Sequence, residues 1–303
     1  MSSILIVKLG AAGDVVRTTT ILHIFKGWEI DWLVSEENKD LLPHSLLRNS
    51  FTDPDQIPEG STYDTIVNLE DDAAITRRVF KKAKSADDFG LIIRHGEEVG
   101  YTDNSAEWFD MSLVSRYGLR KANELKLANR FSYQEILFRC LGHTFSGEQY
   151  ILPNRLPTTD LKGDIAVAPF AGKRWPMKNW FYFDELIDLL SKDFRVNVLP
   201  QRPTMLEHCA DISNHRLMIC NDSLPMHLAL GLGIPVVSFF TCTSPWEIYD
   251  YSLLTKLISP RLDEFFYQRR FVPDAVKSIS VKAAYDATLR ALVISDAQHV
   301  AVR

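Results

Sequence analysis

The sequence predicts an α/β protein of two domains in tandem, each a mostly parallel sheet covered by helices on both faces. Three observations carry that prediction. Short runs dense in β-branched residues alternate with helical stretches. The alternation restarts after a proline-containing linker, and 303 residues suit two domains of roughly 100–200 residues each.

Ile4–Leu9 (ILIVKL) is the first strand, followed at once by Gly-Ala-Ala-Gly-Asp and a helical stretch, the opening of an α/β unit. Ile30–Val34 and Tyr63–Leu69 repeat the strand signal. A polar helix is predicted over Asp71–Lys84, carrying Arg77, Arg78, Lys81, Lys82 and Lys84, and Gly90–Arg94 is a further short strand. Residues 95–150 change character: they are polar, with aromatic residues in helical stretches at Ala106–Tyr117 and Tyr133–Leu141. Pro153, Pro157 and Thr158-Thr159 read as the linker, which sets the domains at 1–157 and 158–303. Strands follow at Asp164–Ala168, Arg195–Leu199, Arg216–Cys220 and Ile234–Phe240. Helices are expected near Tyr182–Leu190, near Thr204–Ile212 and from Asp222. The last helix, about Val281–Val293, is a candidate to cross back onto the first domain.

Composition narrows the function. Lys plus Arg number 34 against 39 Asp plus Glu, a net charge of −5, which excludes a broadly basic surface for non-specific nucleic-acid binding. With 46% hydrophobic and 24% charged residues, the chain is expected to fold rather than remain disordered. No apolar run reaches the ~18 residues of a membrane span, and the start lacks the features of a secretory signal. Cys140, Cys209, Cys220 and Cys242 are widely spaced, as expected of reduced, buried thiols in a cytoplasmic protein and not of a zinc site.

In such sheets ligands lie outside the carboxyl ends of the strands, so the strand-to-helix turns are the candidate sites. Gly10 and Gly13 permit φ > 0, yet the loop matches neither the dinucleotide fingerprint nor a P-loop, and Asp14 would repel a phosphate there. Asp14 suits a proton acceptor for a hydroxyl or, more simply, a helix cap. Cys220-Asn221-Asp222-Ser223-Leu224-Pro225-Met226-His227 leads into an apolar helix whose start could bind an anion; here too Asp222 could be a cap. Thr243 and Ser244 follow the next strand, in a turn that either lines the same anion site or is an ordinary hydroxyl-rich turn. Lys173 and Arg174, in AGKRWPMKNW, could neutralise a phosphoryl leaving group or be solvated surface. The charges of the basic run Arg77–Lys84 sit at helical spacing, as expected of a solvated helix face. Asp71-Asp72 and Asp87-Asp88 are better explained as caps and turns than as metal ligands.

In this order and context the motifs resemble glycosyltransferase family 9, the bacterial heptosyltransferases of lipopolysaccharide core assembly. ILIVKLGAAGDVVRTTTIL is similar to the family's first strand and loop, and AGKRWPMKNW to its Lys-x-Trp-Pro segment. NDSLPMHLALGLGIPVVSFFTCTSP is similar to its Asp-Ser/Thr-Gly-x-x-His turn, helix, strand and Gly-Pro-Thr loop. The resemblance implies the GT-B arrangement, two Rossmann-like domains facing an interdomain cleft, the first for the acceptor and the second for the donor. It also implies a metal-independent, inverting transfer of heptose or a related sugar from a nucleotide diphosphate donor, typically ADP-heptose, with no other cofactor. The acceptor would be a hydroxyl of an anionic bacterial glycan such as lipopolysaccharide core.

On the matching positions, Asp14 would be the general base and Lys173 would hold the leaving diphosphate. Asp222, Ser223, His227 and Thr243 would bind the donor, while Gly10, Gly13, Arg77 and Lys81 would be loop or acceptor contacts. The expected place of work is cytoplasmic, at the inner face of the inner membrane, with peripheral membrane contact and no nucleic-acid partner. Leu224 departs from the family's Gly and Thr241-Cys242 from its Gly-Pro, and a strand–helix unit is missing between Leu199 and Asn221. These departures motivate the alternative of a non-catalytic nucleotide- or glycan-binding relative. A nicotinamide-dependent oxidoreductase has only the generic α/β pattern behind it.

Overall fold

The computed structural model describes residues 1–94, 98–172 and 175–301, the side chains of 294–301 excepted. The chain forms two compact units, Met1–Asn154 and Arg155–Arg303. In the first, β1 (Ser3–Val7), α1 (Ala12–Thr18), β2 (Glu29–Leu33), β3 (Asn49–Phe51) and β4 (Ser61–Asn68) are followed by α2 (Ala73–Lys82), β5 (Ala83–Ile93) and β6 (Val99–Tyr101). Helices α3 (Ala106–Phe109), α4 (Gly118–Ala128) and α5 (Tyr133–Cys140) complete it. The sheet runs β3-β2-β1-β4-β5-β6, parallel except for β6. Leu5 and Val7 of β1, Leu33 of β2 and Ile66 of β4 are fully buried with Val79 of α2. Burial on both faces explains why these strands read as continuous apolar runs.

Three elements differ from the sequence expectation. β5 begins at Ala83, seven residues before the apolar run that signals it, because its polar first half pairs with Ser61–Asn68 of β4. Asp87 and Asp88 are therefore strand residues, not caps or turns, and α2 stops at Lys82. Only Ala106–Phe109 of the expected Ala106–Tyr117 stretch is helical, and the longer helix starts at Gly118. Asp72, as expected of a cap, accepts the Ala74 and Ile75 N–H groups at the start of α2 (2.7 and 3.1 Å).

Gly90 is a close backbone approach inside β5. Its φ is +92°, and a Cβ there would lie 1.9 Å from the Asn68 carbonyl oxygen. Gly90→Ala is expected to lower stability by more than about 1 kcal/mol, because both the conformation and the space are denied to a side chain. Urea denaturation checks this, and an unchanged midpoint would refute it.

The second unit contains β7 (Ile165–Ala168), α6 (Phe183–Leu190), β8 (Val196–Val198), α7 (Met205–Ser213), β9 (Leu217–Asn221), α8 (Leu224–Gly231) and β10 (Val236–Phe240). β11 (Leu254–Ile258), α9 (Leu262–Phe265), α10 (Pro273–Val276) and α11 (Val281–Ala301) follow. Its sheet is parallel throughout, in the order β11-β10-β9-β7-β8. Trp180 stacks on Phe239 (centroids 4.1 Å apart) at the centre of a core that includes Ile165, Ile219 and Val237. Ala284, Ala287 and Ala291 of α11 join that same core, so the described part of this helix packs on the second unit's own sheet.

Each strand order reverses once, between β1 and β4 in the first sheet and between β9 and β7 in the second. At such a reversal the following loops diverge and leave a crevice at the carboxyl ends. The loop carrying Gly10 and Asp14 follows β1, and the turn carrying Asp222 follows β9.

Candidate functional site

In the second unit, buried Asn221 at the end of β9 ties the reversal together. Its Nδ2 donates to the Pro169 carbonyl (2.8 Å), and its Oδ1 accepts the Trp180 N–H (3.1 Å). One side chain thereby fixes both ends of the loop that follows β7. Asn179 Oδ1 accepts the Ala171 N–H (2.7 Å), and Thr241 donates to the Met177 carbonyl, so the loops after β7 and β10 are joined as well.

Asp222 sits in this frame, 7% exposed. Lys178 Nζ lies 2.7 Å from its Oδ2 and donates to its backbone carbonyl at 2.8 Å, while Thr243 Oγ1 donates to Oδ2 at 2.6 Å. Burial pushes the Asp222 carboxyl up, but the charge and hydrogen bond of Lys178, the Thr243 hydroxyl and the charge of His227 outweigh it. The net effect holds the carboxyl below the usual carboxylate range. Asp222 is therefore a neutralised anion and no obstacle to a phosphate nearby.

The sign of the shift fixes its pH dependence. Stabilisation from Asp222 is complete above the ordinary aspartate value of about 3.9 and is lost as pH falls through the lower folded-state value. Thr243→Val removes one donor, raises that folded-state value toward the unfolded one, and is expected to shrink the stability lost in acid. Denaturation at stepped pH measures it, and an unmoved acid limb would dismiss Thr243 as a partner.

Asp222 does not cap α8. Ser223 holds the N-cap position, and its hydroxyl donates to the Asn221 carbonyl (3.2 Å) instead of closing the helix. Pro225 occupies the first turn, where its missing N–H removes little. His227, 4% exposed, lies one turn into the same helix. The Ser244 hydroxyl, buried beside Thr243, has no hydrogen-bond partner among the described residues. Lys173 and Arg174 lie outside the described residues. Trp175, next in the loop, meets Tyr267 edge-on (5.4 Å) and carries Arg269 over its ring (5.2 Å).

In the first unit Asp14 occupies the first turn of α1, an electrostatically favourable place for a carboxylate. It is not the cap; Ala11 is, with no side-chain bond. Asp14 forms an ion pair with Arg17, whose own side chain is buried with its guanidinium 4.2 Å from the Tyr133 ring centroid. The Asp14 side chain stays 33% exposed, enough to reach a solvent-borne hydroxyl. Gly13 lies inside α1, and neither it nor Gly10 adopts positive φ, so the expected left-handed glycine turn does not form. The loop is held instead by Glu70, which accepts the Leu9 N–H (2.6 Å) and pairs with Lys8 (3.0 Å), and by Asn38, which donates to the Leu9 carbonyl (2.8 Å).

The basic helix divides into two faces. Arg78 pairs with Asp53 and with Asp55 (2.5 and 2.8 Å) and Lys82 with Glu59 (2.7 Å), whereas Arg77 and Lys81 are exposed. Lys81 stands in the last turn of α2, which runs into the amino-terminal end of β5, at the edge of the sheet opposite Asp14. The four cysteines are free and buried, and burial pushes the Cys140 and Cys242 thiols up to about 11.

Residues 182–264 match the model of glycosyltransferase family 9 (heptosyltransferase). The resemblance to family 9 is thereby shown. No curated protein matches the chain. Among solved structures, the Escherichia coli heptosyltransferase WaaC with ADP is similar at 15% identity and a TM-score of 0.62, over 95% of this chain and 99% of that one. The E. coli ADP-heptose lps heptosyltransferase II is similar at 13% identity and 0.60, over 98% of this chain and 100% of that one. A family 9 glycosyltransferase from Veillonella parvula gives 13% and 0.61, over 96% of this chain and 97% of that one. At these identities the likeness is one of fold, two α/β sheets of six and five strands matching GT-B heptosyltransferase structures.

The family 9 stretch covers Asp222, Ser223, His227 and Thr243 but neither Asp14 nor Lys178. Sequence reasoning missed Lys178 and Asn221. Lys178 is one of three basic residues in a single loop, and only the fold shows which of the described ones reaches Asp222. Asn221 had a signal, a polar residue at the end of an apolar strand just before the acidic turn.

Proposed function

We propose that the chain is a metal-independent, inverting glycosyltransferase that moves heptose or a related sugar from a nucleoside diphosphate donor to a hydroxyl of an anionic bacterial glycan such as lipopolysaccharide core. The observation that carries the reading is the knot of Lys178, Asp222 and Thr243 at the reversal of the second sheet. It presents the start of α8 to an anion with the nearby carboxylate already neutralised. The family 9 match of that stretch and the ADP bound by WaaC favour an ADP-sugar as donor.

In this reading Asp14 takes the proton of the acceptor hydroxyl, whose oxygen bonds to the anomeric carbon as the bond to the diphosphate breaks. The departing negative charge is met by the N–H groups at the start of α8, by His227 and by Lys173. Lys178 and Thr243 position Asp222 beside those donor contacts. Gly10 and Gly13 shape the base loop, and exposed Arg77 and Lys81 would meet outlying anionic groups of a large acceptor. The enzyme would work at the cytoplasmic face of the inner membrane, where such glycans and donors meet.

Incubation with ADP-heptose and a core-glycan acceptor, with release of ADP as the readout, tests this directly. Release no faster than that of Asp14→Ala would reject the base. A second reading, a binding relative without turnover, is favoured by Leu224, which puts a side chain at the first residue of α8 where the family has Gly. Calorimetry separates the two: binding of nucleotide sugar without release supports the second reading, and turnover rejects it.

A further inference from the structure

We propose that the surface around the start of α4 docks on a lipid bilayer bearing anionic headgroups. Helices on a globular protein normally bury an apolar stripe, yet in α4 only Ala122 is buried. Leu113, Tyr117 and Leu119 are 54%, 55% and 56% exposed within seven residues of chain. Exposed basic residues are interleaved with them. Arg116 stands over the Tyr117 ring (5.1 Å) and pairs with Asp110 (2.9 Å), while Arg120 and Lys121 share Glu124 (3.3 and 3.1 Å).

Residues 110–131 hold five basic and two acidic side chains, in a chain whose net charge is −5. An apolar patch with a locally opposite charge is complementary to an anionic interface: the apolar groups enter the headgroup layer and the cations stay among the phosphates. Arginine and lysine stems favour this arrangement, since they can bury carbon while keeping charge in water. A partner made only of charge would leave three large apolar side chains unexplained.

The position of the patch suits the proposed chemistry. The Leu113 backbone amide lies near the Asp71 carboxyl and favours its charged form. Glu70, the chain neighbour of Asp71, accepts the Leu9 N–H of the loop leading to Asp14. Docking through Leu113 and Leu119 would therefore bring the base-bearing edge of the first sheet toward the lipid surface. The purpose of docking rests on the reading of the acceptor as a membrane-held glycan, but its measurement does not.

Cosedimentation of the full chain with phosphatidylcholine vesicles, with and without phosphatidylglycerol, tests the proposal. No glycan or nucleotide is present, so failure of sugar transfer leaves the result standing and the reverse also holds. Binding is expected to the anionic vesicles and to fall with added salt. Arg120→Glu with Lys121→Glu is expected to weaken it about tenfold or more. Tyr117→Ser with Leu119→Ser, on side chains too exposed to support the fold, is expected to weaken it as well. Equal binding to neutral vesicles, no binding, or wild-type affinity in either double variant would overturn it.

Discussion

Asp14→Asn is expected to lower ADP release by about 10²–10⁴-fold, the usual range for removing a positioned general base. Asparagine keeps the shape of the side chain and can still accept a hydrogen bond from Arg17, but it cannot take a proton at neutral pH. Donor affinity should be nearly unchanged, because the donor-type turn belongs to the other unit. A fall in turnover with unchanged nucleotide affinity by calorimetry therefore identifies a base. A parallel fall in both would point instead to a disturbed fold. Arg17 makes that control necessary. Its guanidinium is largely enclosed, and weakening one anionic partner of an enclosed charge carries a stability cost. Thermal unfolding of the variant should be recorded beside its activity. Turnover within a factor of two of wild type, with the fold intact, would remove Asp14 from the reaction.

The elements that were legible in the sequence share a physical property. β1, β9, β10 and the Ile66–Asn68 end of β4 lie inside their sheets and are buried on both faces, so each reads as an apolar run bounded by turn residues. β3, only three residues long, and β11 lie at sheet edges and lack that pressure. The first half of β5 is polar, and only its pairing with β4 makes it a strand. The site divides in the same way. Asp14, Asp222 and Thr243 stood out because strand-to-helix turns are local, and locality is what a sequence displays. The bond from Lys178 to Asp222 spans 44 positions and crosses from one loop to another. Nothing in the spacing of AGKRWPMKNW predicts which of its cations makes it. The expected φ > 0 at Gly10 and Gly13 failed for a related reason: α1 starts at Ala12, and a helical Gly13 needs no left-handed turn.

Lys178→Met is expected to cost about 3–5 kcal/mol of stability, the range for breaking a buried ion pair from one side. The carboxylate it leaves behind is 9% exposed and would keep the Thr243 hydroxyl and the charge of His227 to offset burial. Asp222→Asn should be milder. The lysine side chain, 15% exposed, would retain the backbone carbonyl of residue 222 and some access to water. The double variant, Lys178→Met with Asp222→Asn, should be more stable than Lys178→Met alone, because it removes the stranded charge. Urea denaturation of the four proteins closes a double-mutant cycle. A coupling below about 1 kcal/mol would class the contact with weak surface pairs and deny it the task of neutralising Asp222. The same proteins separate positioning from bare stability. In Lys178→Met an uncompensated anion beside α8 opposes the diphosphate, so ADP affinity should fall. In the double variant that anion is gone, and affinity should return with the fold even though no lysine stands at position 178. Failure of affinity to return while stability does would mean that Lys178 touches the phosphate itself.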